Sequence, residues 1–379
     1  MRIVADENIP FVREAFGRLG EVVTAKGRAI TRAMVREADA LIVRSVTKVG
    51  AELLDGAAVR FVATATIGFD HVDVEYLRER GIGFSSAPGS NANSVAEYVV
   101  AALLVLARRG GFRLDEKTIG VVGVGNVGSR VVRKAEALGM RVLQSDPPLE
   151  RETGDPRFLP LEALLEADVL TFHVPLTNDG PDATYHMISD RFLGRLPVGT
   201  ILINTSRGAV ADSAALMRAV ETQGLGGLVL DVFEKEPNIM TALVEKSDLA
   251  TPHVAGYSYD GKVGGTAMVY RAACEFFGRP VEWDATRAMP EAPHPRLAAG
   301  TDGEDEDVLR ELVRAVYDIE ADDQRLRKIL ELPPPEQGSY FDQLRKTYPV
   351  RREFQNTVVE MSGARPSLRA KVVGVGFRV

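Results

Sequence analysis

The sequence of 379 residues contains one cysteine, Cys274, which excludes an internal disulfide. Its longest apolar run, residues 95–107, is interrupted by Glu97 and is shorter than the ~20 residues that span a bilayer. The first residues lack the basic start, apolar run and cleavage site of a secretory signal. A formal net charge of −7 argues against a nucleic-acid surface covering the whole molecule. These absences favour a soluble cytoplasmic protein that binds neither nucleic acid nor a membrane.

Short apolar runs alternate with helical patterns twice along the chain. Strands are predicted at 2–5, 21–24, 40–43, 60–64 and 82–85, and again at 119–124, 141–145, 168–173, 199–203, 226–231 and 249–252. Apolar runs separated by helices are typical of parallel α/β sheets, because both faces of such sheets are covered. We therefore predict two doubly wound parallel-sheet domains, one flavodoxin-like and one Rossmann.

The domain boundaries follow from this alternation. A nearly all-apolar helix at 94–108, expected to be buried, begins the second domain, which runs over 94–256. A last helix at 261–277 is expected to return to the first domain. The first domain is therefore discontinuous, and we assign it residues 1–93 and 257–280.

The end of the chain, residues 286–379, predicts a small α+β domain. A long amphipathic helix is expected at 308–330, and strands are expected at 369–373 and 375–379. The helix carries one apolar stripe, made of Leu309, Leu312, Val313, Val316 and Ile319. Since so small a unit buries little surface alone, we expect this domain to form the contact of a homodimer.

A glycine-rich loop, Gly123-Val-Gly-Asn-Val-Gly128, joins a predicted strand to a predicted helix. Gly123 permits the tight turn, Gly125 lets the backbone approach a pyrophosphate, and Gly128 lets the helix pack on the strand. The loop residues between them, Asn126 and Val127, lead into the helix N-terminus, whose free N–H groups face the phosphates. The context predicts a dinucleotide site.

The choice of dinucleotide depends on Asp146, which lies 18 residues after Gly128 at the end of the next predicted strand. A carboxylate there accepts hydrogen bonds from the adenosine ribose and repels a 2′-phosphate, so NAD is expected rather than NADP. A second Gly-x-Gly, Gly374-Val-Gly376, has no third glycine and no following helix. It is not expected to bind a pyrophosphate.

Three later segments supply one Arg, one Glu and one His: Asn204-Thr-Ser-Arg-Gly208, Asp231-Val-Phe-Glu-Lys-Glu-Pro237 and Thr251-Pro-His-Val-Ala-Gly256. Arg207 and His253 follow predicted strands, where doubly wound sheets place catalytic groups. An Arg can bind a carboxylate, a His can accept or donate a proton, and a Glu can orient that His through a hydrogen bond. Glu234 stands beside Glu236, and sequence alone leaves open which of them does so. The set predicts oxidation of an alcohol, or reduction of a ketone, next to a carboxylate, with no metal.

In this order after a dinucleotide loop, the segments resemble the D-isomer-specific 2-hydroxyacid dehydrogenases, over about residues 40–277. The resemblance implies that Arg207 binds the substrate carboxylate and carbonyl, and that His253, paired with Glu236, is the acid–base. It also implies further cofactor contacts at Pro175, Ser206, Asp231 and Gly256, with Asp231 at the nicotinamide end.

Narrower features resemble one member of that family, which carries a C-terminal extension of about a hundred residues. They are the start Met1 to Pro10, the loop at 42–47, the turn at 65–71 and the tyrosine after Ala255-Gly256. By this resemblance Ser45, Thr66 and Tyr257 contact the substrate. Arg44 offers a cation near the same loop, or is a surface charge.

Two questions stay open at this level. The tail cations Arg345, Lys346, Arg351 and Arg352 are either solvated or approach the partner's cleft and hold an anionic group of the substrate. The chain is either the member just described, another D-2-hydroxyacid dehydrogenase such as a 3-phosphoglycerate dehydrogenase, or a non-catalytic NAD-sensing protein of the corepressor type. Turnover of a hydroxy acid distinguishes the last of these.

Overall fold

A computed structural model describes residues 1–222, 224–300 and 302–379. The strands are β1 (Arg2–Asp6), β2 (Glu21–Ala25), β3 (Ala40–Val43), β4 (Phe61–Thr64), β5 (Gly83–Ser85), β6 (Thr118–Val122), β7 (Arg141–Ser145), β8 (Val169–Phe172), β9 (Ile201–Asn204), β10 (Gly227–Leu230), β11 (Leu249–Ala250), β12 (Arg296–Ala298) and β13 (Val358–Glu360). The α-helices are α1 (Val12–Phe16), α2 (Arg32–Val35), α3 (Ala51–Leu54), α4 (Val74–Glu79), α5 (Ala92–Gly110), α6 (Gly128–Leu138), α7 (Pro147–Thr153), α8 (Asp190–Leu193), α9 (Ser213–Thr222), α10 (Thr241–Lys246), α11 (Tyr259–Phe276), α12 (Asp305–Val316), α13 (Ile319–Arg327), α14 (Pro334–Lys346) and α15 (Pro366–Val375).

Residues 1–91 and 258–291 form one unit around a five-stranded parallel sheet. Its strand order, β2-β1-β3-β4-β5, is the flavodoxin-like order. Helix α11 packs back onto this unit, where the rings of Phe16 and Tyr270 meet edge to face at 5.6 Å.

Residues 92–257 and 292–379 form the other unit. Its six strands are parallel in the order β7-β6-β8-β9-β10-β11. The order reverses between β6 and β8, so a crevice is expected where these two strands end. The two sheets confirm the predicted fold class. Across the described part of the chain, the helices are all too short or too polar to cross a membrane.

The C-terminal residues 292–379 share the core of this second unit. The helix expected at 308–330 is two helices, α12 and α13, and Asp318 caps the second by accepting the N–H of Ala321. The apolar stripe is covered within the same chain, by α5 and by α15. Leu309, Leu312 and Val313 are each no more than 4% exposed. The stripe therefore does not require a second subunit, and that reason for a homodimer was wrong.

The last helix corrects a second expectation. Residues 369–373, predicted as a strand, lie in α15, and of 375–379 only Arg378 makes a β-bridge. A side chain on Gly374 would lie 2.3 Å from Cβ of Ala137 on α6, and Gly376 ends the helix with a φ of 116°. The two glycines thus serve a close helix contact and a helix cap. The valines of this segment favour a strand, but the segment packs on α6 as a helix.

A buried charge cluster joins the C-terminal region to α5. Glu97 is fully buried, its Oε1 accepts the N–H of Phe354 at 2.9 Å, and its Oε2 lies 3.7 Å from Arg351. Burial is the largest influence on this carboxyl, and it raises the pKa of Glu97 to about 8 despite the opposing charge of Lys134. The native state therefore favours the protonated form of Glu97.

This cluster predicts a pH-dependent stability. Because folding raises the pKa of Glu97, protonation of this carboxyl group contributes to the free energy of unfolding. The contribution is fully present below about pH 4.5 and is lost as the pH rises through about 8. A Glu97→Gln variant keeps a neutral side chain and should lose less stability between pH 6 and pH 9 than the unaltered protein. Each unit of pKa shift corresponds to about 1.4 kcal/mol.

Urea unfolding at the two pH values measures the difference. Glu311→Gln, an exposed change on α12, is the matched control and should follow the unaltered protein. Parallel curves for the Glu97→Gln variant and the unaltered protein would refute the prediction.

Candidate active site

The glycine loop lies at the point where the strand order reverses, directly after β6. A side chain on Gly123, whose φ is 83°, would meet the carbonyl oxygen of His173 at 2.8 Å, and one on Gly128 would meet the carbonyl oxygen of Gly123 at 1.9 Å. Among the residues that the structure describes, no group outside the loop itself lies within 4 Å of the position a side chain on Gly125 would take, and Gly125 and Asn126 are exposed. Small residues are therefore required at both ends of an open loop, which fits a bound pyrophosphate.

Asp146 follows β7 and is hydrogen-bonded to the same loop. Its Oδ2 accepts the N–H of Val124 at 2.7 Å, and its Oδ1 caps α7 by accepting the N–H of Leu149 at 3.1 Å. Each carboxylate oxygen has a second lone pair, so ribose hydroxyls can still donate to it. Asp146 therefore has the position that a ribose-binding carboxylate needs.

Replacing Asp146 should relax the cofactor preference. An Asp146→Asn variant removes the negative charge that repels a 2′-phosphate and keeps one oxygen to cap α7, while its amide nitrogen cannot accept the N–H of Val124. We expect the ratio of NAD to NADP affinity to fall roughly 10- to 100-fold, and Asp146→Ala should weaken NAD binding as well. Calorimetric titration with both dinucleotides gives the ratio. A preference for NADP in the unaltered protein would contradict the assignment of Asp146.

The Arg207 loop is held by its own first residue. Asn204, at the end of β9, accepts the N–H and the hydroxyl of Ser206 at 3.0 and 2.7 Å and donates to the carbonyl of Arg207 at 3.1 Å. A side chain on Gly208 would lie 1.9 Å from the carbonyl oxygen of Phe233. Only glycine fits there, and Arg207 is thereby presented beside the loop that follows β10.

Asp231 holds the segment that carries His253. Its Oδ1 accepts the hydroxyl of Thr251 at 2.6 Å and the N–H of Val254 at 2.7 Å, and its Oδ2 accepts the N–H of Ala255 at 3.0 Å. His253 has a φ of 57°, which residues other than glycine adopt uncommonly. The buried Asp231 carboxylate therefore stabilises a strained backbone. Its predicted contact with nicotinamide stays a prediction.

His253 and Glu236, the residues expected to exchange the substrate proton, form a hydrogen-bonded pair. The Nδ1 of His253 lies 2.7 Å from Oε2 of Glu236, whose Oε1 accepts the N–H of Phe233 at 2.9 Å. Burial pushes the pKa of Glu236 up, but the charge and hydrogen bond of His253, with help from Arg345, outweigh burial and leave this pKa below its ordinary value. An ionised carboxylate only accepts hydrogen bonds, so Nδ1 carries the proton and Nε2 is left to exchange one.

The neighbouring Glu234 has a different partner. Its Oε1 lies 2.7 Å from Nε2 of His186, and its Oε2 accepts the N–H of Ser213 at 2.8 Å. The structure thus distinguishes two glutamates that the sequence could not. His173, after β8, also has a hydrogen-bond partner, since its Nε2 lies 2.9 Å from the Thr171 hydroxyl.

Three expected cofactor residues are placed near these loops. Pro175 follows β8, and its carbonyl accepts the hydroxyl of Thr184 at 2.6 Å. Ser206 is buried and bonded within the Arg207 loop. Gly256 follows the segment that Asp231 holds. Their contacts with a cofactor stay predictions.

The expected substrate residues of the first unit lie at one edge of its sheet. Arg44 and Ser45 follow β3, and Thr66 follows the adjacent β4. The Nε of Arg44 pairs with the buried Asp6 at 3.0 Å, and the hydroxyl of Thr66 donates to the carbonyl of Gly68 at 3.0 Å. Arg44 is therefore a paired cation, and Ser45 is exposed.

Sequence reasoning missed the contribution of α14 to this site. A side chain on Gly338 of this helix would lie 2.4 Å from Oδ1 of Asn238, and the ring of Phe341 meets that of Phe233 edge to face at 6.4 Å. The helix thus packs against both ends of the loop that carries Glu236. A sequence gap of about a hundred residues separates these segments, and no local pattern connects them.

A doubly wound sheet with a glycine loop at the point where its strand order reverses is the fold of a dinucleotide-dependent dehydrogenase. Residues 101–255 match the family described as D-isomer specific 2-hydroxyacid dehydrogenase, NAD binding domain, and residues 288–374 match a domain of unknown function, DUF3410. The erythronate-4-phosphate dehydrogenase of Salinibacter ruber is 50% identical over 374 residues, which cover 95% of this chain and 94% of that protein. The chain therefore belongs to the erythronate-4-phosphate dehydrogenases, within the D-isomer specific 2-hydroxyacid dehydrogenase family.

Solved structures agree with the fold and the cofactor. The D-lactate dehydrogenase of Aquifex aeolicus, complexed with NAD and lactic acid, has a TM-score of 0.61 at 26% identity and covers 73% of this chain and 95% of its own. The NAD-bound 3-phosphoglycerate dehydrogenase of Entamoeba histolytica has a TM-score of 0.63 at 27% identity, with the same two coverages. The protein is an NAD-dependent dehydrogenase.

Proposed function

We propose that the protein oxidises 4-phospho-D-erythronate to 3-hydroxy-2-oxo-4-phosphobutanoate with NAD, as a step of pyridoxal 5′-phosphate biosynthesis in the cytoplasm. One observation carries the proposal: the 2.7 Å pair of His253 and Glu236 stands beside the Arg207 loop in a chain similar to erythronate-4-phosphate dehydrogenases over nearly its whole length. Identity with the 3-phosphoglycerate dehydrogenase is lower and covers less of the chain.

The chemistry follows from the protein's own groups. Arg207 offers a planar guanidinium to the substrate carboxylate and to the oxygen on C2. Nε2 of His253 accepts the hydroxyl proton as the C2–O bond becomes a carbonyl, and the ionised Glu236 stabilises the imidazolium that forms. When bound at the glycine loop and Asp146, NAD supplies the hydride acceptor for the hydrogen on C2. General acid–base assistance of this kind contributes about 10²–10⁴ in rate.

A substrate screen tests the proposal. NADH absorbance is followed with 4-phosphoerythronate, 3-phosphoglycerate, glycerate and lactate, and 4-phosphoerythronate should give the highest kcat/KM. A higher value with 3-phosphoglycerate would identify another member of the family. Binding of NAD without turnover of any hydroxy acid would favour the corepressor type of protein instead.

We further propose a homodimer whose contact lies in residues 286–379, since two-fold dimers are the commonest soluble oligomers. Val350 and Val373 are large apolar side chains of this region that are about half exposed, and such a contact would cover them. Light scattering of the full chain should give twice the mass of one chain. Removing the tail is an unsuitable test because α12 and α15 cover the core of the second unit. A monomer at micromolar concentration contradicts the proposal.

A further inference from the structure

Helix α14 brings a cation to the catalytic pair. The guanidinium carbon of Arg345, near the end of this helix, lies 5.8 Å from the centroid of the Tyr257 ring. Tyr257 stands four residues after His253 and is an expected substrate contact. Arg345 also helps to lower the pKa of Glu236, which places its charge close to the acid–base pair.

Arg345 has hydrogen-bonding capacity left over. Its Nε is buried and has no hydrogen-bond partner among the described residues. Buried donors without partners are uncommon in native proteins and are often explained by a bound ion or ligand. Guanidinium groups form paired, charge-assisted hydrogen bonds to the oxygens of carboxylates and phosphates. An anionic ligand beside Tyr257 would supply the missing acceptor.

Two other cations that were candidates to hold an anion, Arg44 and Arg351, are already engaged. Arg44 pairs with buried Asp6. Arg351 is buried in its own chain, where it donates to the carbonyls of Ser94 and Ala255 at 2.8 and 3.2 Å. Arg351 therefore cannot reach a partner's cleft as its place in the basic tail suggested.

The substrate class needs two cationic partners. A hydroxy acid with a terminal phosphate carries negative charge at both ends, and Arg207 is assigned to the carboxylate. Arg207 lies next to Gly208, which contacts the loop that carries Glu236 at Phe233. Helix α14 also contacts that loop at its other end, at Asn238. The two arginines thus come to the His253–Glu236 pair on different elements of one chain.

We propose that Arg345 binds the phosphate of the substrate in the active site of its own chain. This assignment rests on the proposed function, since it requires a phosphorylated hydroxy acid. It gives the C-terminal region a direct part in the active site: the region both packs against the Glu236 loop and supplies a specificity-determining residue.

The test compares two substrates in one variant. Arg345→Gln should lower kcat/KM for 4-phosphoerythronate roughly 10- to 100-fold, mainly through KM, because a charge-assisted pair is lost. The loss of kcat/KM with unphosphorylated D-erythronate should be much smaller than the loss with 4-phosphoerythronate, and competitive inhibition by inorganic phosphate should disappear. Arg345→Lys keeps the charge but not the planar guanidinium, so its kcat/KM for 4-phosphoerythronate should lie between those of the unaltered protein and of Arg345→Gln. Lys346→Gln makes the same charge change one residue further along α14, on an exposed side chain, and is the matched control.

Each other outcome overturns the assignment. An equal loss with both acids, or a shifted pH profile of kcat with phosphate inhibition intact, would make Arg345 a positioning residue for Glu236. Unchanged kinetics of Arg345→Gln with 4-phosphoerythronate would show that Arg345 does not bind the substrate. If the unaltered protein does not oxidise 4-phosphoerythronate, the proposed function fails by itself. Calorimetric titration of inorganic phosphate into the unaltered protein and into Arg345→Gln then still decides whether Arg345 forms an anion site.

Discussion

Replacing His253 with alanine is expected to lower kcat by about 10²–10⁴-fold while NAD affinity stays nearly unchanged. The reason is structural: Nδ1 is held by Glu236 at 2.7 Å, and Nε2 is the atom left to take the substrate proton. The imidazole is not part of the glycine loop or the Asp146 site that would hold the dinucleotide. Steady-state kinetics with 4-phosphoerythronate and calorimetric titration with NAD measure the two quantities.

A second His–Glu pair provides the control for this experiment. His186 lies 2.7 Å from Glu234, the same distance as the catalytic pair, but it belongs to a contact that fixes the start of α9. His186→Ala should therefore retain turnover at any temperature at which it remains folded. If His253→Ala keeps the turnover of the unaltered protein, the mechanism proposed for this site is wrong.

Replacing Arg207 with lysine is expected to lower kcat/KM about 10²–10³-fold, the usual effect of losing a donor to a developing oxyanion. Lysine keeps the charge, but an ammonium cannot donate in parallel to the carboxylate and to the oxygen on C2. The fold should tolerate the change, because Asn204 and Gly208 hold the loop through their own contacts. NAD affinity should change little.

The control for Arg207→Lys is Arg218→Lys on α9. Arg218 is exposed and pairs with Asp190, a surface contact that contributes little to stability. Full activity in Arg207→Lys, with Arg218→Lys equally active, would show that no bidentate contact to the substrate is needed.

Much of the site was predictable because its groups follow consecutive parallel strands. Arg207 follows β9, Glu236 lies in the loop after β10, and His253 follows β11, and the structure confirms that these strands are neighbours. Parallel strands end at one edge of a sheet, so three motifs far apart in sequence must meet there. The same argument predicted the glycine loop and Asp146 at the ends of β6 and β7.

The sequence by itself determined the two parallel sheets, the glycine loop after β6 and the three segments that follow β9, β10 and β11, because strand periodicity and strand-end motifs are local signals. Only the tertiary structure decided which glutamate pairs with His253, since Glu234 and Glu236 differ only in their spatial partners. Residues 369–373 form part of a helix because α15 packs on α6, and the apolar stripe of α12 is buried against α5 and α15 of the same chain. Neither contact is visible in the local sequence. The packing of α14 against the loop that carries Glu236 needed the tertiary structure for the same reason, because contacts between segments distant in sequence leave no periodic trace in either one.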